Sequence, residues 1–117
     1  MATRSTISIV LPNKEILSIY CHWDGYLENN GKLLRENYNT YDKALALIEG
    51  GSMSSLGATL ETTVYYGRDK GEKEANPRNV SCIEELQRYK NVEEFNYLFD
   101  DGLWFYFTEI DKTLTVL

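Results

Sequence analysis

Phe95-Asn96-Tyr97-Leu98-Phe99-Asp100-Asp101-Gly102-Leu103-Trp104-Phe105-Tyr106-Phe107 carries the strongest structural signal in the chain. Phe95, Tyr97 and Phe99 alternate before Asp100-Asp101-Gly102, and Leu103, Phe105 and Phe107 alternate after it, so two strands are expected with a turn between them. Outward from this hairpin, Thr113 to Leu117 can add an edge strand. Upstream, Ser81 with Glu84 three residues later is a capping-box pattern for a short helix carrying Ile83 and Leu86. The charged run from Gly67 to Asn79 reads as an exposed loop, and Leu60, Thr62, Val64 and Tyr66 alternate as a strand after the loop chemistry of Ser52 to Gly57. Thr40 is an N-cap for a helix bearing Ala44, Leu45, Leu47 and Ile48, with Gly50-Gly51 as its stop. Asn30 can cap a shorter helix that turns Leu33, Leu34 and Tyr38 inward. A first hairpin pairs Thr6–Leu11 with Ile16–Trp23 across Pro12-Asn13-Lys14, placing Leu17, Ile19, Cys21 and Trp23 on one face and Ser18, Tyr20, His22 and Asp24 on the other. The expected class is α+β: one domain over 1–117, a mostly antiparallel sheet with two or three short helices on one face. Trp23 is expected as a core anchor.

The composition narrows the function classes. A hydrophobic fraction of 43% and 13% aromatics suit a folded domain rather than a disordered one. No apolar run approaches the roughly 20 residues that span a bilayer, so no membrane association is expected. The N-terminus runs straight into an alternating pattern without the apolar block of a signal peptide, and Cys21 and Cys82 form no Cys-x-x-Cys pair. Two free thiols in a cytoplasmic protein are the expectation, with a disulfide as the alternative in an oxidising compartment. Eighteen acidic against 12 basic side chains leave a net charge of −6, the wrong sign for non-specific nucleic-acid binding.

The stretch Gly25 to Lys32 mimics a phosphate loop, yet it has five residues between its glycines and Leu33 where Ser or Thr would bind magnesium, so a P-loop is rejected. His22 is the only histidine, and Asp24 shares its strand face, which makes them a candidate acid-base pair beside the plainer role of a sheet hydrogen bond. Adjacent strand residues point to opposite faces, which argues against Cys21, His22 and Asp24 as metal ligands. Neither metal nor cofactor is expected. Tyr20, Tyr26, Trp23 and Trp104 offer flat faces with polar handles, and Arg4 and Arg68 can hold a carboxylate or phosphate.

Three stretches stand out together: Ala2-Thr3-Arg4-Ser5-Thr6-Ile7, Ile19-Tyr20-Cys21-His22-Trp23-Asp24-Gly25-Tyr26, and Tyr66-Gly67-Arg68-Asp69-Lys70-Gly71-Glu72. In them, and more weakly in Ser54-Ser55-Leu56-Gly57, the chain resembles a family of small bacteriophage proteins, departing from it at Leu27, where the family pattern has proline. The resemblance implies an accessory protein acting in the host bacterial cytoplasm against a defence or regulatory system, and it implies no enzyme chemistry. If the stretches converge, Arg4, Tyr20, His22, Asp24, Tyr26, Arg68, Asp69 and Glu72 form one polar pocket with aromatic walls. Sequestration of a small anionic or nucleotide-like ligand is then the leading expectation. A protein-protein inhibitor using the aromatic hairpin around Trp104 is the second, and a hydrolase using His22 with Asp24 or Glu72 the third. Turnover is disfavoured, because no nucleophile stands in an elbow or triad context. An aromatic-rich surface is also compatible with a homodimer.

Overall fold

The hairpin over 95–107 forms as its alternation predicts, because Tyr97 and Phe99 have the same face to bury and Asp101-Gly102 can turn the chain. The computed structural model describes residues 2–117, the Tyr89 side chain excepted. Asp101 and Gly102 both take positive φ, 51° and 82°, the geometry of a two-residue turn whose twist matches paired strands. In chain order the elements are β1 (Ser5–Val10), β2 (Ile16–Cys21), α1 (Lys32–Asn37), α2 (Tyr41–Glu49), β3 (Met53–Ser55), β4 (Val64–Tyr65), α3 (Tyr66–Lys70), β5 (Arg78–Val80), α4 (Ile83–Leu86), β6 (Phe95–Asp100), β7 (Leu103–Thr108) and β8 (Thr115–Val116).

The class is α+β. The sheet runs β4-β3-β2-β1-β6-β7-β8, with β5 also paired to β2. Most pairs are antiparallel, and the two hairpins join through a parallel pairing of β1 with β6 that sets Ile7 opposite Tyr97. One face carries Ile7, Ile9, Ile19, Cys21, Tyr97 and Phe99, all essentially without solvent exposure, against Leu34, Leu47 and Ile48 of α1 and α2. Each of these large side chains contributes about 1.5–3 kcal/mol on burial. Thr40 caps α2 by accepting from the Lys43 backbone N–H at 3.3 Å, and Gly51 takes φ 91° just past its end, so both termini lie where the sequence puts them.

The opposite face is mixed. Ile16, Val80, Leu86, Leu98 and Phe107 make a second, smaller core under α4. Beside it runs a polar ladder in which Thr6 Oγ1 meets Asn96 Oδ1 at 2.9 Å and Ser8 Oγ donates to Ser18 Oγ at 2.8 Å. These groups are buried and partnered, as buried polar groups must be.

Several expectations are corrected. Ser52 to Gly57 is not all loop: Met53–Ser55 forms β3, held by pairing with Cys21 and with β4 rather than by its own propensity. The expected strand over 59–66 keeps only Val64–Tyr65. Before it, Thr62 N–H donates to Thr59 Oγ1 at 3.2 Å and Thr63 Oγ1 to the Thr59 carbonyl at 2.9 Å, so threonine hydroxyls satisfy the backbone locally and a turn wins. The charged segment after it is α3 followed by β5 rather than loop throughout. Asn30 lies inside a π-helical turn over Leu27–Gly31 instead of capping a helix, and its buried amide donates to Ser5 Oγ at 3.2 Å. Ser81 donates to Glu85 Oε2 at 2.9 Å, and the α4 cap position is Cys82, so the capping box does not form. Trp23 is no core anchor. It lies beyond the end of β2, 44% exposed, because Asp24 takes φ 56° and the alternation stops there.

The cysteines sit in contrasting places: both are free, Cys21 buried and Cys82 exposed. Burial pushes the Cys21 thiol up to about 11, against a hydrogen bond from the Asn30 amide that acts the other way. Since the thiolate is the reacting species, a thiol-specific alkylating probe at mildly alkaline pH should label Cys82 alone on the folded protein and both after denaturation. Fast labelling of Cys21 in the folded state would contradict its placement.

Candidate functional site

The edge of the sheet forks at β2. β5 pairs with Ile16, Leu17 and Ser18, whereas β3 pairs only with Cys21, so Ile19 and Tyr20 have no strand beside them on that edge. The Tyr20 backbone N–H is taken instead by Ser52 Oγ at 3.1 Å. A cavity of about 120 Å³ opens at this fork. It is lined by Thr6, Ser18, Ile19 and Tyr20 from the first hairpin, by Ser52, Asn76 and Arg78, and by Lys90, Asn91 and Glu93.

The charges around it set it apart from an otherwise acidic chain. Arg78 and Lys90 line the cavity, and the Arg4 guanidinium stands beside the Tyr20 phenol. Among the described residues the one ion pair within 4.0 Å is Arg68–Asp69, so none of the three cations is closed by a carboxylate. Glu93 shares the cavity. Burial raises its carboxyl above the ordinary range, the Arg4 guanidinium opposes that shift, Glu109 and Glu94 reinforce it, and Arg78 opposes it. Burial likewise raises the Tyr20 phenol, with Arg4 acting against it. Asn96 fixes this wall: its Oδ1 accepts from the Glu93 N–H at 2.9 Å and its Nδ2 donates to the Glu93 carbonyl at 2.9 Å.

An aromatic string leads away from the cavity. Tyr20 Oη and His22 Nδ1 share a hydrogen bond of 2.7 Å, and the His22 ring meets Trp23 edge-on with centroids 4.7 Å apart. The first two sequence stretches therefore meet, bringing Arg4, Tyr20 and His22 together. The Gly25 N–H donates to the Thr3 carbonyl at 2.8 Å, and Tyr97 Oη donates to the Gly25 carbonyl at 2.6 Å, which ties the N-terminal segment to the loop after β2.

The other expected site residues have different roles. Arg68 is spent inside its own neighbourhood: its Nη1 donates to the Leu60 carbonyl at 2.9 Å, its Nη2 to the Thr63 carbonyl at 2.6 Å, and its guanidinium pairs with Asp69 at 2.8 Å while lying over the Tyr65 ring. Asp69 also accepts from the Tyr65 N–H at 2.8 Å, and the Arg68 partnership holds its carboxyl below the ordinary range. These two residues clamp the turn before α3. Asp24 and Tyr26 are exposed on the loop beyond β2, and Glu72 is exposed after α3. Among the described residues no carboxylate lies within 4.0 Å of His22, so the acid-base pairs considered with Asp24 or Glu72 are not assembled. No three His, Cys, Asp or Glu side chains cluster as metal ligands among the described residues, and no helix is long and apolar enough to cross a membrane.

Sequence reasoning passed over Ser52, Asn76, Arg78, Lys90 and Glu93, which reach the cavity from separate elements. Its one legible signal was the polar face of β2, where Ser18 and Tyr20 alternate with the core. Comparison with protein-family models, with curated proteins and with solved structures finds no match for the chain.

Proposed function

We propose that this chain is a bacteriophage accessory protein that binds and sequesters a small anionic, nucleotide-like ligand in the host cytoplasm. The observation that carries the reading is the convergence of Arg4, Arg78 and Lys90, none in an ion pair within 4.0 Å among the described residues, on a polar cavity in a chain of net charge −6. Size then orders the ligand. Sites for whole small molecules run to roughly 300–1,000 Å³, so a cavity of about 120 Å³ takes an anionic group rather than an entire nucleotide. Any ring would lie outside, along His22 towards exposed Trp23. The phage setting rests on the sequence resemblance.

Inorganic phosphate and nucleoside monophosphates should raise the thermal midpoint with the logarithm of their concentration above Kd, with about 2.7 kcal/mol of added stability at a hundred times Kd. The monophosphates should exceed inorganic phosphate and quench Trp23 fluorescence. No shift with any of these anions would remove the reading.

A second reading, an inhibitor of a host protein, has its own support. Trp104 does not serve it, being buried with its Nε1 donating to the Tyr38 carbonyl at 2.8 Å. Leu103, Ile110, Leu114 and Val116 are instead exposed around the β7–β8 edge, a surface that a partner or a second copy of the chain could cover. The phosphate titration separates the two readings, because that edge has no use for an anion.

A further inference from the structure

Glu93 is an unusual neighbour for an anion. Its backbone is clamped on both sides by Asn96, itself buried and further held by Thr6 Oγ1 at 2.9 Å and the Phe107 carbonyl at 3.3 Å. The wall that carries Glu93 is therefore fixed from the sheet beneath it. Its carboxylate senses Arg4 from the start of β1 and Arg78 from β5, with Glu94 beside it in sequence and Glu109 beyond β7. Tyr20 of β2 and Lys90 complete the polar surroundings. Yet no N···O pair within 4.0 Å closes Glu93 onto a cation among the described residues.

An oxyanion seated between Arg78 and Lys90 in so small a cavity shares it with the Glu93 carboxylate. Two acceptor-only groups repel there, whereas one proton between them makes a short charge-assisted hydrogen bond. We propose that the pocket selects an oxyanion that brings its own proton, as hydrogen phosphate does and as a terminal phosphate monoester does in its monoanionic form, and rejects sulfate and phosphodiesters. This rests on the anion-binding reading above and narrows its ligand to a terminal phosphate. The raised Glu93 carboxyl acts in the same direction, because it helps the pair retain the shared proton.

The test is a calorimetric titration of the full chain near neutral pH with inorganic phosphate, sulfate and dimethyl phosphate, repeated on Glu93→Gln. Phosphate should bind the unsubstituted protein about tenfold more tightly than the other two, the scale of one charge-assisted hydrogen bond at a partly buried carboxylate. Glu93→Gln, whose amide can donate, should narrow that gap by admitting sulfate. Equal affinity for phosphate and sulfate would overturn the selectivity and leave the anion site standing. Binding of none of the three would overturn the anion site itself. Unchanged discrimination in a folded Glu93→Gln would take the selectivity away from Glu93. The first comparison uses the unsubstituted protein, so a variant that fails to fold does not shield the proposal.

Discussion

Gly51→Ala should lower stability by about 3 kcal/mol, a fall of roughly 10 °C in Tm for a domain of this size. Two effects add. Gly51 holds φ 91°, a conformation costing an L-residue about 1–2 kcal/mol. A Cβ there would also collide with the Ala75 carbonyl oxygen, which accepts from the Ser52 N–H at 2.8 Å. Relief requires that backbone contact to open, at about 1–3 kcal/mol for overpacking. Gly71 supplies the control, since it has φ 68° and nothing within 4 Å of its Cβ position, so Gly71→Ala carries the strain alone. Thermal denaturation of both variants checks the difference, and equal losses would show that the Ala75 contact does not matter. Gly51→Ala should also weaken phosphate binding, because Ala75 leads directly into Asn76 and, two residues on, Arg78 at the cavity.

Arg78→Glu is expected to abolish measurable phosphate binding, a loss of about a hundredfold or more. Removing one charge-assisted hydrogen bond accounts for roughly ten- to a hundredfold, and a second carboxylate beside Glu93 adds repulsion. Arg78 is exposed on the short strand β5, so the fold should lose no more than about 1 kcal/mol. The comparison that gives the result its meaning is Arg68→Ala. The sequence motif singles out Arg68 as an anion ligand and passes over Arg78, but the Arg68 donors are already committed to Asp69, Leu60 and Thr63. It should therefore lower Tm and leave phosphate affinity in place. Calorimetry on both variants decides the matter, and the reverse pattern would return the site to the α3 segment.

Local signals were strong enough to read the two hairpins, α2 with its Thr40 cap and Gly50-Gly51 stop, and the inward face of α1. Each depends on residues within one or two turns of one another, where side-chain period and turn chemistry act without help from the rest of the chain. Where tertiary pairing or side-chain bonding competed, the pattern misled. Thr59 to Thr63 has β-branched alternation yet closes into a turn through its own hydroxyls, and Ser52 to Ser55 lacks strand propensity yet pairs because Cys21 and Tyr65 lie on either side of Met53. Trp23 reads as core by parity, but parity holds only as long as the strand does, and Asp24 ends it.

By itself the sequence determined the α+β class, the apolar faces that Ile7, Ile19, Tyr97 and Phe99 must bury, and the polar character of the face bearing Ser18 and Tyr20. Only the tertiary structure decided where the cations go. Arg4, Arg78 and Lys90 are separated along the chain by far more than any local period, and they meet because β5 and β3 leave β2 at different points while Asn96 holds the Glu93 segment across the gap. The same packing spends Arg68 on its own turn. Which guanidinium is structural and which is open to a ligand depends on the carbonyls and carboxylates that come within hydrogen-bond reach, and long-range strand pairing sets that reach.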